Sequence, residues 1–200
     1  MRERIYIVDM DDFCDLTVPE LEVLVECKKL YSNFKVTLFT IPAHTSRYAL
    51  DMVGALNAAH GKEEWIALAP HGWHHTRGEC LAWTKEEAID KINAAKEMGI
   101  DTPCFRAPGW LLDKETYDAC IELDYVVASH TDMRIVVPGA REYVYNDVRY
   151  RGKGTRAVHG HMTNVSGNYI RDLDKGGTLT FGGSQAPKFG WPFIEGVYVP

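Results

Sequence analysis

No cluster of five or more basic residues occurs in this 200-residue chain. That absence argues against nucleic acid as a partner, because phosphate binding needs concentrated Lys and Arg. No apolar run approaches the roughly 18–20 residues that cross a bilayer. The chain opens Met1-Arg2-Glu3-Arg4 and passes directly into an apolar segment, without a leader-like region. The expectation is a cytoplasmic protein that avoids membranes. No Cys-x-x-Cys pair is present, and the five cysteines, Cys14, Cys27, Cys80, Cys104 and Cys120, are odd in number. This disfavours a disulfide framework or a zinc ribbon and predicts reduced, buried thiols. There is no internal repeat and no linker-like stretch, so residues 1–200 are read as one domain.

What is present is an ordinary globular composition. Hydrophobic residues make up 46%, enough for a sizeable core. The 22 basic and 28 acidic side chains leave a net charge of −6, which favours solubility and says little about fold. Apolar strand-like runs alternate with helical patterns. Ile5–Val8, Val36–Phe39, Trp65–Leu68, Cys104-Phe105, Tyr125–Ala128 and Thr155–Val158 read as strands. Between them, Thr17-Val18-Pro19-Glu20 looks like a capping box opening a helix to about Leu30. A second helix is expected from about Ser46 to Ala59, with Leu50, Val53, Ala55 and Leu56 inward. Thr84-Lys85-Glu86-Glu87 caps a third, with Ala88, Ile89, Ile92 and Ala95 as its apolar stripe and Gly99 as its stop. Asp113 starts a fourth, ending near Leu123. Residues 162–200 are glycine-rich and poorly patterned, with Thr178–Phe181 and Phe193–Tyr198 as candidate late strands. Repeated β-then-α order predicts an α/β fold with a mainly parallel sheet or barrel wrapped by helices.

Chemistry in parallel α/β folds gathers at the carboxyl ends of strands, and the polar motifs of this chain fall there. Asp11-Asp12 follows the first strand; adjacent carboxylates at that place have no packing rationale, and one can bind a metal while the other serves as a base. Asp9, one strand period earlier, is a candidate supporting acid, and Asp15 a helix-start acid. His71-Gly72-Trp73-His74-His75 follows the third strand. Read as a helical turn, it puts His71 and His75 on one face, about 5–6 Å apart at Cβ. Imidazole is the commonest ligand for zinc and similar ions, and catalytic sites use three protein ligands with a position left for water. Asp12, His71 and His75 make such a set. Arg106 follows the fourth strand and can hold an aspartate ionised and oriented. His159 and His161 lie one strand period apart on a late strand, and either can protonate a leaving group. Trp73, Trp83, Trp110 and Trp191 lie near these motifs and are candidate faces for a sugar ring.

The ordered set Asp11-Asp12, His71-x-x-x-His75, Arg106-x-Pro108 and a late strand-borne histidine resembles the polysaccharide deacetylases of carbohydrate esterase family 4. The resemblance covers about residues 5–161. It implies a distorted, incomplete (β/α) barrel and metal-dependent removal of acetyl groups, N-acetyl ahead of O-acetyl, from a carbohydrate or related amide. It implies Zn2+, or another divalent ion such as Co2+ or Ni2+, held by Asp12, His71 and His75. It makes Asp11 the general base, Arg106 the residue that steadies it, and His159 or His161 the general acid. The chain departs from the pattern at Phe13, where glycine is usual, and at Gly72, where serine or threonine is usual. Gly109 and Trp110 follow Pro108 in place of an immediate aromatic, and Ala157 stands at a usual leucine. His130-Thr131-Asp132 is the nearest match to the family's Asp-x-x-Asp-Trp segment. Two other classes compete. Ile7-Val8-Asp9-Met10-Asp11, with Thr40 after the second strand, resembles the nucleophile motif of haloacid dehalogenase-type phosphatases, with Asp9 phosphorylated. A non-catalytic carbohydrate- or metal-binding module is the third reading.

Overall fold

The computed structural model describes residues 5–60, 63–128 and 155–162, with 188–189, 193–194 and 197–198. Its strands are β1 (Ile5–Phe13), β2 (Val36–Thr40), β3 (Ile66–Pro70), β4 (Cys104–Phe105), β5 (Val126–Val127), β6 (Thr155–His161), β7 (Lys188–Phe189), β8 (Phe193–Ile194) and β9 (Val197–Tyr198). Four α-helices join them: α1 (Leu21–Leu30), α2 (Arg47–Ala59), α3 (Lys85–Glu97) and α4 (Lys114–Glu122). Strand β1 lies at the centre of a parallel sheet, between β2 and β6, with β3 outside β2. The short β7 also runs parallel to the start of β1. β4 and β5 form a parallel pair of their own. A bridge between His71 and Arg106 joins that pair to the end of β3. The Arg106 N–H donates to Pro70 at 3.1 Å and the Gly72 N–H donates to Arg106 at 3.2 Å. The wall therefore runs β5, β4, β3, β2, β1, β6, with its carboxyl ends on one side. β8 and β9 form an antiparallel pair.

The parallel wall explains the near-continuous apolar runs that mark its strands. All five residues of β2 are buried, as expected for a strand covered on both faces. One core cluster packs Leu24, Phe34, Val36, Leu38, Val53 and Trp65 between the sheet and the first two helices. A second packs Ile92, Phe105, Leu112, Ala119 and Val127 around α3 and α4. A third, small cluster contains Phe39, Ala69, Cys104, Val126 and Ala128. The entry to β3 is tied to α2 by side-chain bonds. Asn57 Oδ1 accepts from the backbone of Trp65 and Ile66 at 3.1 and 2.9 Å, and Trp65 Nε1 donates to Leu56 O at 3.1 Å.

Two helix starts follow the expected chemistry. Thr84 Oγ1 accepts from Glu87 N at 3.2 Å while Glu87 Oε2 accepts from Thr84 N at 2.8 Å, a complete capping box. Asp113 Oδ1 accepts from Thr116 N at 2.9 Å. The first helix differs. A 3-10 turn over Asp15–Glu20 precedes α1, and Thr17 caps backwards, its hydroxyl accepting from Cys14 N at 3.0 Å. On α2, Ala49 and Val53 are buried and Ala55 is exposed; residues four apart share a face, and Ala55 sits off it. All five cysteines are buried thiols that form no disulfide. No helix among the described residues is long and apolar enough to cross a membrane. Thr178–Phe181 and Trp191 lie outside the described residues.

Candidate metal centre

Neighbouring residues of a strand point to opposite faces, so Asp11 and Asp12 would ordinarily diverge. The pairing of β1 with β2 slips between Met10 and Phe13, where three steps along β1 match two along β2. One extra residue is therefore accommodated as a bulge, a device that re-aims a side chain. Asp12 takes a left-handed backbone, φ 68°. Its carbonyl accepts from the Thr17 hydroxyl at 3.2 Å. Asp9 and Asp11 remain on the ordinary alternation and meet the same partner, since Arg106 Nη1 donates to Asp9 Oδ1 and to Asp11 Oδ1 at 2.6 Å each. Arg106 Nε donates to Ala128 O at 3.1 Å, and its guanidinium carbon lies 3.9 Å from the Phe39 ring centre. All three charged groups are buried.

His71 follows β3 and is also buried. Its Nδ1 lies 2.9 Å from the Arg106 carbonyl oxygen, which can only accept, so Nδ1 carries the proton and Nε2 offers a lone pair. Nε2 is 3.5 Å from Asp12 Oδ1 and 3.7 Å from Asp11 Oδ2. His75 Nε2 is 2.9 Å from Asp12 Oδ1. The two rings lie 4.8 Å apart between centres. The spacing of four predicts a helical turn, but a loop brings the rings together instead. Residues 72–78 are non-helical, with left-handed Gly72 (φ 62°) and His75 (φ 60°) folding the segment back on itself.

One ligand atom from each of Asp12, His71 and His75 lies within 4.8 Å of the other two. Asp12 Oδ1, at the centre of this trio, is buried and receives no hydrogen bond of acceptable direction, although His75 Nε2 is close. An orphaned oxygen facing two imidazole nitrogens is the arrangement a cation satisfies. Charge agrees: Arg106 pairs with Asp9 and Asp11, and Asp12 lies among histidines, so three carboxylates share the site with one guanidinium and two negative charges are left for a divalent ion to balance. The residues present fit such a group.

His161, at the end of β6, reaches the other side of the same carboxylate, with Nδ1 3.0 Å from Asp12 Oδ2. In backbone register it pairs with Asp11, as His159 pairs with Asp9; the His159 side chain lies outside the described residues, as does His130-Thr131-Asp132. Burial pushes the Asp12 carboxyl up, but His161, His71 and His75 together hold it far below the usual carboxylate range. The Asp12 contact raises both His75 and His161 above the ordinary imidazole value, against burial.

A cleft of about 730 Å³ opens beside the trio, lined by Asp12, His75, His74, His44, Ser46 and Leu16 among others. His44 appears ordinary in the sequence, yet it stands on this cleft with its ring centre 6.3 Å from that of His74. Of the tryptophans read as candidate sugar faces, the three described ones do not line this cleft: Trp83 is buried in the second core cluster, and Trp73 and Trp110 pack against it. Asp15 accepts from Ser46 N at 2.7 Å, which ties the cleft wall together. Asp9, the nucleophile of the phosphatase reading, is 1% exposed and ion-paired, so it presents no accessible oxygen for attack. Glu79, which carries no motif in the sequence, accepts hydrogen bonds from the histidine loop.

No protein-family model matches the chain, and no curated protein sequence matches it. Solved structures do. The Xyl-CE4 domain of a multidomain xylanase from the hindgut metagenome of Trinervitermes trinervoides superposes with a TM-score of 0.55 at 15% identity, covering 98% of this chain and 100% of that one. A family 4 carbohydrate esterase from Streptomyces lividans, solved in complex with acetate, gives 0.54 at 12% identity, covering 92% and 98%. A CE4 family pseudoenzyme from Bacillus anthracis gives 0.56 at 11% identity, covering 88% of this chain and 63% of its own. At such identities the likeness speaks to architecture: the chain has the polysaccharide deacetylase-like fold of the family 4 carbohydrate esterases.

Proposed function

We propose that this chain is a metal-dependent hydrolase that removes acetyl groups from a carbohydrate or related amide, N-acetyl in preference to O-acetyl. The observation that carries the reading is the convergence of Asp12, His71 and His75 on the orphaned Asp12 Oδ1. The fold likeness supports it; by the same analogy the parallel wall belongs to a distorted, incomplete (β/α) barrel, and residues 1–200 are read as one catalytic domain. Two imidazoles and a carboxylate suit zinc, with cobalt or nickel as substitutes.

A divalent ion bound there would supply a Lewis acid for the acyl carbonyl and would lower the pKa of a nearby water. Asp12, His71 and His75 would hold it, and the Arg106 carbonyl keeps His71 in the tautomer that can do so. Asp11 accepts the attacking water's proton. Its Oδ2 lies beside the trio, 3.7 Å from His71 Nε2, while Oδ1 is pinned by Arg106. Hydroxyl adds to the carbonyl carbon, the C–N bond breaks, and the leaving nitrogen takes a proton. His161 is the favoured donor, because its half-exposed ring already reaches the carboxylate at the centre of the site; His159 is the alternative on the same strand. The products are acetate and a free amine. The cleft beside His75 is large enough for a sugar unit and far larger than an acetyl group needs.

Elemental analysis of protein purified without added metal, followed by acetate assays on N-acetylated and O-acetylated sugars, tests the proposal. About one zinc per chain with acetate release supports it. Zinc without acetate release from any of these sugars returns the chain to a binding module. Failure to take up zinc, cobalt or nickel removes the metal reading altogether.

A further inference from the structure

Three consecutive backbone N–H groups point at one carboxylate. Glu79 Oε1 accepts from Trp73 N at 3.0 Å and from His75 N at 2.9 Å, and Glu79 Oε2 accepts from His74 N at 3.0 Å. Successive N–H groups in a loop of mixed handedness make an anion-binding nest, and here the anion comes from the chain itself. Gly72 is the complement of Glu79. A Cβ at residue 72 would lie 2.2 Å from Glu79 Oε1 and 2.7 Å from the Pro108 ring, on a backbone with φ 62°. The side chain missing at one position makes room for the carboxylate of the other.

The carboxylate is itself anchored. Glu79 opens a 3-10 turn, Glu79–Leu81, whose next residue, Cys80, is fully buried in the second core cluster. The Cys80 carbonyl accepts from the Thr116 hydroxyl of α4 at 2.8 Å. Rigidity therefore passes from the α4 contact, through the turn, to the loop that carries His75. His75 is half-buried and holds a left-handed backbone, a conformation that costs a non-glycine residue energy and persists only where neighbours enforce it.

We infer that Glu79 is a positioning residue for the metal site, holding the 73–75 backbone so that His75 Nε2 faces Asp12 Oδ1. This rests on the reading of Asp12, His71 and His75 as metal ligands. It adds a device outside that trio: a carboxylate that binds no metal and fixes a ligand through its main chain. Supporting groups of this kind change metal affinity by about 10–100-fold when removed.

The test titrates the full chain, as wild type, Glu79→Ala and Glu79→Gln, with zinc against a competing chromophoric chelator, and follows melting of each metal-free protein. Glu79→Ala is expected to weaken zinc binding by about 10–100-fold in the folded protein. Glu79→Gln keeps one acceptor oxygen but turns an NH2 toward a backbone N–H, so its affinity should fall between the two. A purely structural role would lower the melting temperature and leave zinc affinity unchanged, and that result overturns the inference. Should Glu79→Ala not fold, Glu79→Gln decides, and wild-type affinity in that variant overturns it equally. A wild-type chain that binds no zinc fails at the metal site itself, a failure seen before any variant is compared, and the inference falls with it.

Discussion

The Arg106 carbonyl oxygen accepts a hydrogen bond from His71 Nδ1 at 2.9 Å. One residue thus fixes two features of the site, because the Arg106 side chain holds Asp9 and Asp11 while its main chain selects the His71 tautomer. With Nδ1 protonated, Nε2 keeps the lone pair that the proposed ligand role requires. His71→Ala removes a buried imidazole from the trio and should reduce bound zinc from about one ion per chain to a small fraction of that after dialysis. Elemental analysis reads the result, and full metal content in the variant would refute the ligand assignment. Asp12→Asn should show the same loss, since a neutral amide is a much poorer ligand than a carboxylate at the centre of the trio.

Asp11 should behave differently. It lies beside the trio and is held by Arg106, and it is assigned the role of base. Asp11→Asn is expected to retain zinc near one per chain while acetate release falls by about 10²–10⁴-fold, the range of a general base. Metal content and turnover measured on one preparation separate the two roles. Unaltered turnover would show that the proton goes elsewhere.

The parts of this site that could be read from the chain are those a parallel sheet imposes. Strands buried on both faces appear as apolar runs, and their carboxyl ends share a side. Asp11-Asp12, His71, Arg106 and the strand that carries His159 and His161 could therefore be grouped before any coordinates. That Asp12 would meet His75 was expected, but the bulge that turns it there could not be foreseen, because a bulge is a mismatch between two strands and exists only once β1 is in register with β2. Nor could the folding back of residues 72–75. Spacing of four suggests a helix, whereas left-handed Gly72 and His75 together with Glu79 produce the same meeting of rings by a loop. An acid seven residues beyond Gly72 has no period and no motif to announce it. Likewise, Ala55 and Ala49 of α2 differ only in which side of the helix the sheet lies.

Arg106 is buried against two carboxylates, and its removal takes away the guanidinium that Asp9 and Asp11 share. Breaking a buried ion pair from one side costs about 3–5 kcal/mol. Arg106→Met should therefore lower unfolding free energy by that order in urea denaturation. Arg106→Lys keeps the charge but cannot reproduce both the bond to Ala128 O and the Nη1 contact to the aspartates. Its loss should be smaller than that of Arg106→Met. Equal stabilities for both variants and wild type would mean that the pairing contributes nothing to the fold.

Glycine is not equivalent along this chain, and Gly54 gives the clearest contrast with the loop between His71 and His75. It lies exposed within α2, and a Cβ built there meets no heavy atom within 4 Å. A glycine in a helix interior costs about 0.5–1 kcal/mol relative to alanine, chiefly through the freedom its unfolded backbone gives up. Gly54→Ala should raise the urea midpoint by an amount equivalent to about 0.5–1 kcal/mol, with the slope of the transition unchanged. The same substitution at Gly72 should act in the opposite direction, because the added methyl would collide with Glu79 and Pro108 on a left-handed backbone. A melt in which both variants moved the same way would contradict the close approach at Gly72. The opposed signs, measured by one method on one protein, isolate local space and backbone handedness as the cause.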